Sequence, residues 1–93
     1  MILHILMFKN HQLDCFTTPN FVDVEPNVAA TQLKRSIITG IAENDKKAYQ
    51  YRNLELFHVG DFDDVTGKIT QFDSPIALLD CRAIYPDDVQ DGK

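Results

Sequence analysis

With 93 residues, a hydrophobic share of 44% and a formal net charge of −5, the chain has the size of one small domain with enough apolar material for a core. The acidic balance argues against a general polyanion binder, which needs clustered Lys and Arg to neutralise phosphates. Two distant cysteines, Cys15 and Cys81, lack metal-type spacing and read as reduced thiols of an intracellular protein, while no apolar run reaches membrane-spanning length and the MILHILMF start lacks the basic flank of a secretory signal.

In chain order, Ile2 to Phe8 is a continuous apolar run of strand length, as suits a central strand covered on both faces. Residues 9 to 26, with Asn10, Asp14, Pro19, Asn20 and Pro26, read as a long loop. Within it, Phe16, Phe21 and Val22 either anchor the loop to the core or contact a partner. Asn27 is placed to cap a helix, and Ala30, Leu33, Ile37 and Ile41 recur at helical spacing, predicting an amphipathic helix over 27–43 that Gly40 weakens near its end. Glu43 to Arg52 is polar and reads as a helical turn or a loop.

The next stretch, Leu54 to Ile69, writes out a β-hairpin. Asp64-Val65-Thr66-Gly67 fits a type I turn with glycine in the left-handed position. That turn pairs Asp64 with Lys68, Phe62 with Thr70, and Gly60 with Phe72, whose ring would cover the bare glycine. Strict alternation then puts Leu54, Leu56, His58, Gly60 and Phe62 on one face, and Glu55, Phe57, Val59, Asp61 and Ile69 on the other. Residues 75–85 fit a last strand or a short helix, and an acidic flexible tail is expected at 87–93, leaving a domain over 1–86.

The expected fold class is therefore α+β: a sheet of three or four strands with one main amphipathic helix, in the order strand, helix, strand, strand. A crossover of that kind places the first and second strands parallel. One helix covers one sheet face, so Phe57, Val59 and Ile69 on the other face would lie in water, and a homodimer or tight partner is expected to cover them.

Chemical motifs are sparse. Asp61, Asp63 and Asp64 cluster at the hairpin tip but depart from the calcium-loop pattern and fit turn chemistry. His4, His11, His58 and Cys15 are metal-ligating types without a tight ligand pair, so no metal site is expected. The glycines are isolated, no nucleophile motif occurs, and no cofactor or catalytic residue is indicated. A metal-dependent nuclease on Asp61, Asp63 and His58 is the enzymatic alternative. For nucleic acid, Tyr49 and Tyr51 beside Lys46 and Lys47, with Lys34 and Arg35 on the helix, form the candidate single-strand surface.

The residues ELFHVGDFDDVTGKI, Glu55 to Ile69, resemble the small non-structural protein of gokushovirus-type microviruses, phages with single-stranded circular DNA. Upstream, Phe16-Thr-Thr-Pro-Asn-Phe21 and Ala30-Thr31-Gln32-Leu33-Lys34-Arg35 look like that family's loop and following helix. The resemblance implies a non-enzymatic accessory protein of the infected bacterial cytoplasm, active in viral genome replication or its switch to packaging. Combined with the exposed apolar residues, this gives the expectation of a homodimer that acts on a viral or host replication protein through Phe16, Phe21, Phe57, Val59 and Ile69, or else binds single-stranded DNA directly.

Overall fold

The computed structural model describes residues 1–86; the expected tail at 87–93 lies outside the described residues. The architecture is α+β. Strands β1 (Ile2–Asn10), β2 (Cys15–Phe16) and β3 (Asn20–Val22) precede helix α1 (Pro26–Ala42). A 3-10 turn at Lys46–Tyr51, strands β4 (Leu54–Asp63) and β5 (Ile69–Asp80), and a second 3-10 turn at Cys81–Ala83 follow. The sheet runs β2-β1-β4-β5, with β3 also on the outer edge of β1, and each pairing is antiparallel.

The antiparallel pairing of β1 with β4 corrects the expected parallel pair. The 9–26 segment is not a plain loop: it turns at 11–14, with Asp14 at φ 55°, and returns along β1 as β2 and β3. That return brings the chain back to the start of β1 before the helix begins. The helix therefore links β3 to β4, two parallel strands with β1 between them.

Helix α1 starts one residue earlier than the periodicity implied. Pro26 occupies the first turn with Glu25 as N-cap, so Asn27 is not the cap; proline suits this place because its φ is preset and its missing N–H would be unpaired anyway. At the other end Asn44 takes φ 58°, Asp45 N–H donates to the Gly40 carbonyl at 2.8 Å and Asn44 N–H to that of Ile41 at 3.1 Å, a Schellman closure. The missing side chain of Gly40 has a packing purpose, since a Cβ there would fall 2.6 Å from Ala48 Cβ in the 3-10 turn.

The predicted helix stripe faces the sheet. Ala30 joins Leu6 and Leu56 in one buried cluster, and Ile37 joins Cys81 and Tyr85 in a second; Phe8, Leu33 and Leu79 pack against both. Val28 and Ile38, which flank the stripe, are exposed. The last element resolves as strand through Asp80, followed by the short 3-10 turn in which Asp80 accepts from Arg82 N–H. Both cysteines are free thiols, Cys15 exposed and Cys81 buried.

Candidate functional site

The site is built by an irregularity in β4. Ile5 pairs with Gly60 and Leu6 with His58, leaving Val59 as an extra residue. Towards β5, His58 pairs with Ile76 and Gly60 with Gln71, so residues 72–75 bulge opposite Val59. A bulge of one residue changes the phase of side-chain alternation. Asp61 thereby joins His58 instead of opposing it, and Phe62 moves to the side of Phe57, which corrects both expected faces.

The hairpin register also differs from expectation by one residue. The closing pair is Asp63 with Lys68, followed by Phe62 with Ile69 and Asp61 with Thr70. Asp63, not Asp64, supplies the turn carboxylate, accepting from Val65 N–H at 2.9 Å and Thr66 N–H at 3.4 Å. These backbone hydrogen bonds, that of Val65 foremost, hold the Asp63 carboxyl below its usual range. Gly67 has the left-handed φ of +77° expected of it. Gly60 is not covered by Phe72: its absent Cβ lets β5 close in, since a Cβ would lie 2.3 Å from the Thr70 carbonyl oxygen.

Two surfaces result. The first is an apolar groove of about 440 Å³, floored by Ile5, Met7 and Val59 and walled by Phe16, Phe21 and Ile69. Phe57 lies beneath Phe16, ring centroids 5.8 Å apart, and Phe62 beneath Phe21 at 5.5 Å. The expected partner residues Phe16, Phe21, Val59 and Ile69 thus surround one depression, with Phe57 supporting its wall. The 9–26 segment performs part of the covering assigned to a partner, because its two aromatics lie over the face opposite α1. Both remain close to half-exposed, Phe16 at 45% and Phe21 at 49%.

The second surface is polar. His4 Nδ1 and His58 Nε2 each lie 2.9 Å from the same oxygen, Asp61 Oδ1. Burial pushes the Asp61 carboxyl upward, but the hydrogen bonds from His4 and His58 outweigh it and hold the group below the usual carboxylate range. The two imidazoles meet edge to face at 5.2 Å, and the Phe72 ring stands against His58 at 4.7 Å. The nuclease grouping of Asp61, Asp63 and His58 is not assembled, because Asp63 serves the turn while His4 takes the place beside Asp61. His11 is elsewhere, paired with Glu55 at 2.8 Å.

The candidate nucleic-acid residues divide into packed aromatics and exposed cations. Tyr49 packs against Tyr85 at 5.7 Å and Tyr51 against Phe8 at 5.6 Å, both half-buried, whereas Lys34, Arg35, Lys46 and Lys47 are exposed. Sequence reasoning missed the convergence of His4 with His58 and Asp61. The available signal was Gly60, since an isolated glycine within a strand pattern marks a bulge as readily as an aromatic-covered site. No helix among the described residues is long and apolar enough to cross a membrane. No protein-family model, no curated protein and no solved structure matches the chain.

Proposed function

We propose that the chain is a non-enzymatic binding protein that holds an extended apolar segment of a partner protein in its groove. One observation carries this reading: the groove opens beside β5, the terminal strand of the sheet, and Ile69, Gln71 and Asp73 of that strand line it. An edge strand presents unpaired backbone groups to which a further strand can add, and an adjoining depression then selects alternate side chains. Asp73 on the wall and the net charge of −5 favour a neutral or basic segment. The microvirus resemblance of Glu55 to Ile69 supports placing this activity in the infected bacterial cytoplasm, with a viral or host replication protein as the partner and genome replication or its switch to packaging as the setting.

The test is selection of peptides from a random display library on the immobilised protein. The expected winners carry apolar residues at alternate positions, shift the amide signals of Ile69–Asp73, and bind at least tenfold more weakly to Ile69→Glu, a change at an exposed position. Failure to enrich any such peptide, or binding indifferent to Ile69→Glu, overturns the reading. Sedimentation showing a concentration-dependent dimer broken by Ile69→Glu would give the groove to a second copy. Salt-sensitive binding of an oligonucleotide, lost with Lys46 and Lys47, would replace it by the single-stranded DNA reading.

A further inference from the structure

We infer that His4, His58 and Asp61 form a binding site for one divalent transition-metal ion of the zinc type, bound by His4 Nδ1, His58 Nε2 and Asp61 Oδ1 with water completing the coordination. The donor set is the first reason. Two imidazole nitrogens and a carboxylate oxygen all lie within 4.8 Å of one another. Zinc bonds of about 2.0–2.2 Å in tetrahedral geometry put neighbouring donors roughly 3.3 Å apart. The two nitrogens now stand 2.9 Å from Asp61 Oδ1, a few tenths of an ångström short of that spacing, and lie within 4.8 Å of each other.

Preorganisation is the second reason. His4 and Asp61 are direct partners in the β1–β4 ladder, and the Val59 bulge brings His58 to the same side. The rings are fixed by their mutual edge-to-face contact and by Phe72, so little freedom is lost on coordination. Access is the third. The His58 side chain is sealed at 10% exposure, while those of His4 and Asp61 reach solvent at 21% and 32%, leaving the open coordination position on the wet side. An arrangement of three protein ligands and one water is the open type of zinc site.

Coordination has a definite proton account. Against an ionised Asp61 the two imidazoles donate through His4 Nδ1–H and His58 Nε2–H. Metal binding leaves the ring protons at His4 Nε2 and His58 Nδ1: a singly protonated ring changes tautomer, and a doubly protonated one releases the proton of its coordinating nitrogen to solvent. The inference does not rest on the proposed use of the groove, although Phe72, which stands against His58, also lines it.

The experiment is a titration of the intact chain with Zn²⁺, read by imidazole ¹⁵N NMR, with Co²⁺ absorption as a second probe. The expected result is saturation at one equivalent, a tautomer change at both His4 and His58, a rise in Tm, and reversal by chelator. Asp61→Asn and the half-buried His4→Gln should each weaken binding at least tenfold, whereas His11→Gln should leave it unchanged. Wild-type spectra decide the matter even if a variant fails to fold. No tautomer change at a large molar excess of zinc, or binding that depends on His11 and not on His4, overturns the inference.

Discussion

Among single residues, Tyr85 and Cys81 show how a small core depends on a few polar atoms. Tyr85 is buried and its hydroxyl donates to the Ala48 carbonyl, tying the end of the described chain to the 3-10 turn before β4. Tyr85→Phe keeps the ring and removes that hydrogen bond, so urea denaturation should show a loss of about 0.5–1.5 kcal/mol. Burial, the first cause in each case, pushes the Cys81 thiol and the Tyr85 phenol up to about 12. Both groups favour the neutral form in the folded state. Their stabilisation is complete below the ordinary thiol range and fades as pH rises from there towards 12. A thiol reagent at neutral pH should therefore modify Cys15 alone in the native protein, and both cysteines in denaturant. Equal native reactivity would contradict the packing of Cys81 against Ile37.

The elements differ in how openly the sequence announces them. The helix stripe Ala30, Leu33, Ile37 and Ile41 was legible because each residue points to the same core, and the hairpin was legible because Gly67 has few alternatives in such a turn. Phe16, Phe21, Val59 and Ile69 could be singled out from the sequence as apolar residues, although the groove that they line together could not. The pairing of Phe16 with Lys9 and Phe21 with Ile5 left no periodic trace, since strands of two and three residues are too short to show alternation. The β4 bulge was hidden for a different reason: HVGDFD reads equally well in strict alternation, and only the approach of β5 to Gly60 decides otherwise. Gly60→Ala should destabilise the protein by about 1–3 kcal/mol, as overpacking does, and should broaden the amide signals of Thr70 and Gln71. A neutral Gly60→Ala variant would mean that β5 sits farther from β4 than the structure places it.

At the scale of the molecule, charge sets the response to acid. The hydrogen bond from Arg82 holds the Asp80 carboxyl below its usual range, and Asp61 and Asp63 are lowered as well. A carboxylate lowered by folding contributes stability above its unfolded value and loses it as pH falls through the folded one. Stability measured by urea should therefore decline as pH falls below the ordinary carboxylate range, with a shallower decline in Asp61→Asn. The net charge of −5 opposes self-association of a chain that exposes Phe16, Phe21 and Ile69 together. Both surfaces of this molecule depend on the bulge that takes up Val59 in β4. Substituting Val59 reshapes the groove floor, whereas deleting it would close the bulge and leave Asp61 on the face of His58 and Phe62 on that of Phe57; strict alternation with Val59 retained is what would carry Phe62 towards the histidines and Asp61 into the oil. The kink at Val59 is thus the device by which a segment of this length keeps its polar and apolar sides sorted.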